Sequence, residues 1–116
     1  MAMSHACGAD QALRLHHGTL NAVFLPTILD FNRDYVGNKY ERLNKALGLS
    51  IEADPAEHIR DLNQRLGLPS NLAEMGIEPD QIPALAEHAA KDVCTFTNPR
   101  PCSVSDYESL YKTAMI

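Results

Sequence analysis

Three of the five histidines, His5, His16 and His17, fall within thirteen positions near the start of a 116-residue chain. Neutral imidazole is the commonest protein ligand of transition metals and a ready general acid or base near neutral pH. A catalytic metal site typically takes three protein ligands or more and keeps an open position. No carboxylate stands four residues from any of the three histidines, although Asp10 and Asp30 could approach them in space. His16 and His17 are adjacent, and one must point away from wherever the other points. At most one of that pair is expected to be a ligand. The competing reading is a group of solvated or hydrogen-bonded loop histidines.

Other reactive groups carry less. His58 and His88 fall on the polar faces of expected helices and read as surface residues. Cys7 lies near His5, but no third group orients such a pair as a nucleophile, so it reads as a small packed thiol. Cys7, Cys94 and Cys102 are odd in number and lack zinc-like pairing, which suits reduced thiols of a cytoplasmic protein. A Cys94–Cys102 disulfide is the alternative. Tyr40, Tyr107 and Tyr111 read as core aromatics with hydroxyls at the edge.

Charge excludes some partners. The chain carries 10 basic and 15 acidic residues, a formal charge of −5, spread evenly over its two halves. No basic face exists for a duplex nucleic acid. Residues 58–88 have the rhythm of a helix-turn-helix, yet lack the exposed Arg, Lys, Asn and Gln set that reads base edges. No apolar run approaches the ~20 residues of a membrane span.

The elements that must position these side chains read as helices separated by caps. Gly18 to about Arg33 is apolar on nearly two faces, with Pro26 expected to kink or break it. Asn38–Leu47 forms the next, burying Tyr40, Leu43, Ala46 and Leu47, with Gly48 closing it. Asp54, Pro55 and Glu57 start a third at capping-box spacing, with Ile59, Leu62 and Leu66 inward. A short helix follows Ser70, another covers about Gln81–Asp92, and residues 97–101 form a Pro-restricted loop. The last starts after Ser105, with Glu108 at capping-box spacing, and buries Tyr107, Leu110, Tyr111 and Ala114. The expectation is one all-α domain over residues 1–116, a bundle of five to seven helices.

At Ala2-Met3-Ser4-His5, His17-Gly18-Thr19-Leu20-Asn21-Ala22, Leu25-Pro26, Phe31-Asn32, Tyr40-Glu41-Arg42-Leu43, Gly67-Leu68-Pro69 and Thr97-Asn98-Pro99-Arg100-Pro101, the chain resembles the C-terminal end of the iron-containing alcohol dehydrogenases. The order and spacing hold over almost the whole sequence. The resemblance implies a helical domain that, in intact members, faces an N-terminal NAD(P)-binding domain. Those members hold a divalent metal, iron or sometimes zinc, through one aspartate and three histidines, and pass a hydride between an alcohol and the nicotinamide. Carried over, His17 matches the last metal histidine. His5 matches a histidine close to nicotinamide and substrate, suited to proton transfer or positioning. His16 matches no ligand.

There are departures. Met1 stands where the family has a further metal histidine, four residues before His5. The interval between His5 and His17 is longer than the family's, and the aspartate and first histidine ligands are not in this sequence. The resemblance therefore implies a truncated domain, as from a truncated reading frame or an internal start, inactive alone and completed by a missing nucleotide-binding half or an intact subunit. A stand-alone helical interaction module is the second expectation. A small metal-binding protein using His5, His16 and His17 with Asp10 or Asp30 is the third. Under the first, the apolar stretch Leu20–Phe31 is expected to lie partly uncovered and to drive self-association.

Overall fold

The most apolar stretch of the sequence becomes the central helix of the molecule. The computed structural model describes residues 1–9 and 15–116, so Asp10 lies outside the described residues. Helix α1 spans Ala2–Ala9 and α2 His17–Asn32. They are followed by α3 (Lys39–Ala46), α4 (Pro55–Arg65), α5 (Ile82–Lys91) and α6 (Val104–Ala114), with short 3-10 turns between. The described residues contain six α-helices and no strand, within the expected all-α range.

In α2, Leu20, Val23, Phe24 and Thr27 recur at helical spacing and are buried. Helices α1, α4 and α6 all pack on it, and α5 packs between α1 and α6. Pro26 does not break α2, which continues to Asn32 with the proline ring buried. The stretch Leu20–Phe31 is partly covered: Leu20 is fully buried and Phe24 nearly so, whereas Leu25 is exposed and Ile28, Leu29 and Phe31 are half-buried. Burying side chains of this size stabilises by roughly 1.5–3 kcal/mol each. The Phe24 ring meets Tyr111 of α6 edge-on, with centroids 5.5 Å apart.

Helix α1 was not anticipated from the sequence. It is short, and Ala2, Met3, Ala6 and Cys7 give it a buried face. Tyr111 fixes it to α6 by donating its hydroxyl to the Met3 carbonyl at 3.0 Å. Helix α4 starts as expected, with Asp54 accepting from the backbone N–H groups of Ala56 and Glu57. The Glu57 side chain does not complete a capping box; it pairs with Arg60 at 3.3 Å.

Two expected apolar faces are not buried. In α3 the buried residue is Asn44, whose amide donates to the Ile51 and Ala53 carbonyls at 3.2 and 2.7 Å, while Leu43 and Leu47 are exposed. In α4, Leu66 is exposed and Ile59 and Leu62 are only half-buried. Helix α6 begins two residues earlier than expected, after Ser103, because Ser103 and Asp106 form the reciprocal capping box. Ser105 and Glu108 lie inside the helix instead. Its expected buried face, Tyr107, Leu110, Tyr111 and Ala114, is found as read.

The Pro-restricted loop is tied to the end of α2. Asn98 and Asn32 exchange side-chain amide bonds of 2.8 and 2.9 Å. Arg100 donates to the Phe31 carbonyl at 3.1 Å and lies 3.9 Å above the Phe31 ring. A helix C-terminus leaves carbonyls without intrahelical partners, and Arg100 satisfies one of them while its cation meets an aromatic face.

Candidate functional site

Helices α1 and α2 bring two of the three candidate histidines together. The His5 and His17 rings stack at 5.4 Å with an interplanar angle of 16°. His5 is half-buried, whereas His17 is exposed at the first position of α2. His16 turns away. It is the N-cap of α2, and its Nδ1 accepts from the Thr19 backbone N–H at 3.4 Å. A Cβ added at Gly18 would stand 3.2 Å from the His16 ring, so glycine at this position leaves room for that cap. The tandem pair therefore divides its work between capping the helix and facing His5.

Asp30, the other carboxylate considered, is engaged elsewhere. It bonds to Arg33 at 2.8 Å and to Arg60 at 2.5 Å. The carboxylate that meets His5 is Asp92, which ends α5 and caps the following 3-10 turn, Val93–Thr97. Asp92 Oδ2 lies 2.8 Å from His5 Nδ1, and Oδ1 accepts from the Cys94 backbone N–H at 2.8 Å. That backbone bond and His5 hold the Asp92 carboxyl below its usual range. Its ionised form can only accept, so Nδ1 of His5 carries the shared proton and Nε2 is left as the basic nitrogen.

Cys94 completes the group: one donor atom from each of His5, Asp92 and Cys94 lies within 4.8 Å of the others. Burial and the Asp92 carboxylate raise the Cys94 thiol. None of the three cysteines forms a disulfide. Sequence reasoning missed Asp92 and Cys94 as partners of His5; the available signal was an Asp-x-Cys pattern at a helix end, where Asp caps the next turn. Of the outlying histidines, His88 is exposed, while His58 is half-buried rather than on the surface. Tyr107 is buried and pushed up to about 12 by desolvation, with its hydroxyl 2.7 Å from Thr95.

The arrangement defines a helical domain that presents paired imidazoles at an edge. Residues 1–115 match the Fe-containing alcohol dehydrogenase family, C-terminal, and the chain belongs to that family. It is similar to lactaldehyde reductase of Escherichia coli (strain K12), 36% identical over 97% of this chain and 31% of the relative. It is also similar to 4-hydroxybutyrate dehydrogenase of Cupriavidus necator, 38% identical over the same shares. A crystal structure of 1,3-propanediol oxidoreductase superposes with a TM-score of 0.89 at 29% identity, covering 98% of this chain and 31% of that one. The chain thus spans just under a third of the length of these relatives. It corresponds to the C-terminal, all-α region of the family.

The family's metal can be set against the residues present. His17 has an exposed ring, and no described residue hydrogen-bonds to it. Met1 occupies the place one turn before His5, its carbonyl accepting from the His5 N–H at 2.8 Å. Set against the four-ligand metal that the resemblance implies, the described residues offer one candidate, His17, and a methionine at the place of another. No helix of the described residues is long and apolar enough to cross a membrane.

Proposed function

We propose that this chain is the metal-side part of an NAD(P)-dependent alcohol dehydrogenase. In this reading His17 is a ligand of divalent iron or zinc, and His5 handles or positions a proton beside substrate and nicotinamide. The remaining ligands and the nucleotide site come from an upstream half or an intact subunit. The observation that carries the reading is the convergence of His5 and His17, from different helices, into one stack at an exposed edge. A bound metal supplies Lewis-acid polarisation of the alcohol oxygen.

The chain's own residues do the rest. Asp92 fixes the His5 ring and its tautomer, so that Nε2 can accept a proton from the substrate side. The ring of His17 is held against His5 by stacking, and its position at the start of α2 is set by the His16 cap. Small alcohols and aldehydes are the substrate class. Residues 1–116 act as one helical domain, in a cytoplasmic enzyme with reduced thiols.

One ligand of four does not hold iron tightly, because each missing ligand removes charge or dipole that the desolvated ion requires. The purified chain, given Fe²⁺ or Zn²⁺ with NAD⁺ or NADP⁺, is therefore expected to oxidise no simple alcohol. Measurable turnover would overturn the reading. A second reading, a stand-alone interaction module, is favoured by exposed apolar side chains. Val93 and Phe96 are 74% and 79% exposed, and such residues promote association with an intact subunit or with another copy.

A further inference from the structure

The reading above uses His5 but leaves Cys94 idle beside it. We propose that His5, Asp92 and Cys94 form a binding site for a borderline-soft divalent cation of the zinc type, formed by this chain alone. Their donor atoms lie within 4.8 Å of one another. Ligands at 2.0–2.3 Å around a tetrahedral zinc stand roughly 3.3–3.8 Å apart, so the three close on an ion with shifts of about an ångström. The donor types fit the same class. Imidazole nitrogen, thiolate sulphur and one carboxylate oxygen are zinc ligands, whereas calcium and magnesium call for oxygen-rich sets.

The geometry is largely preset. Asp92 and Cys94 come from one turn, locked by the bond from the Cys94 N–H to Asp92 Oδ1. Oδ2 remains for the ion, already facing His5 at 2.8 Å. The side chains are open enough for entry yet partly desolvated, His5 at 36% and Asp92 at 15% exposure. Coordination releases the thiol proton to solvent, displaces the His5–Asp92 hydrogen bond by moving the ring proton from Nδ1 to Nε2, and leaves the fourth position to water. The site needs neither His17 nor the missing ligands; it shares His5 and Asp92 with the dehydrogenase reading, and an ion held here takes the place of their hydrogen bond.

Cobalt(II) titrated into the full chain, followed by absorbance, tests it. One equivalent is expected to produce a thiolate-to-cobalt charge-transfer band in the near ultraviolet that Zn²⁺ removes. Cys94→Ser abolishes the band. Asp92→Asn, which retains a capping oxygen, weakens uptake at least about tenfold, the lower bound for disturbing even a supporting group of a metal site. Cys102→Ser and His17→Ala leave the band in place. Alkylation of the unaltered chain needs no variant: Zn²⁺ is expected to slow labelling of Cys94 several-fold and leave Cys102 unchanged. Absence of a thiolate band in the unaltered chain, its survival in Cys94→Ser, its loss in His17→Ala, or equal labelling of Cys94 with and without Zn²⁺ would each overturn the proposal.

Discussion

Asp54 shows how one carboxylate serves both an element and its neighbours. It caps α4 and pairs with Arg33 at 2.8 Å. The Arg33 bond and the two backbone N–H groups hold its carboxyl below the usual range. A carboxyl held low in the fold stabilises above its unfolded pKa, near 3.9, and loses that contribution as pH falls through its folded value. Asp54→Ala is expected to cost about 1 kcal/mol at pH 7, the ordinary worth of a cap. Asp54→Asn keeps a capping oxygen and loses only charge. Because the pair is half-exposed, its cost should stay under about 1 kcal/mol and disappear in acid, once pH falls below the lowered folded value of Asp54. Urea melts at both pH values check this; an Asn deficit that persists in acid contradicts it. Asp54 was legible because a cap, a proline at the first helical position and an apolar run all lie within one local stretch.

Elements were legible where their signals are local, and missed where the partner is remote. The buried face of α6 follows from spacing alone, whereas α1 was missed and the short helix read after Ser70 is a 3-10 turn, Ala73–Met75. Helix α1 escaped because its eight residues pack against remote elements, among them Tyr111, 108 residues from the Met3 carbonyl it bonds. The Asn-Pro-Arg loop was read as rigid, but its grip on α2 through Asn32 and the Phe31 carbonyl is a tertiary fact. Arg100→Ala removes a carbonyl partner and a cation over an aromatic face, so a loss of about 1–2 kcal/mol is expected in thermal melts. Asn44→Leu strips the Ile51 and Ala53 carbonyls of their donor and is expected to cost about 1–3 kcal/mol. A neutral outcome there would show that water replaces the amide. The α3 face was misread because its leucines suggested burial by spacing, whereas the chain packs the polar Asn44 inward.

At the scale of the whole molecule, the core around α2 is closed while apolar residues outside it are open. Leu25, Leu47, Ile51, Leu66, Val93 and Phe96 are all exposed, and they come from several elements as well as from the expected α2 stretch. Sedimentation velocity is expected to show concentration-dependent association that Val93→Ser with Phe96→Ser reduces; a single monomeric species at all concentrations contradicts this. The candidate site divides in the same way. His5 and His17 were legible because the resemblance fixes them by sequence order, while Asp92 and Cys94 meet His5 only after α5 packs on α1.

The central claim, that His17 completes a metal site with residues beyond this chain, has a direct test. This chain, carrying Cys94→Ser so that the separate zinc-type site is removed, is joined to the upstream portion of the lactaldehyde reductase it resembles, and iron bound per purified molecule is measured. With Met1→His present to restore the family's pattern, near-stoichiometric metal is predicted, lost on His17→Ala and retained on His16→Ala. Equal metal content in the His17 and His16 variants would contradict the account.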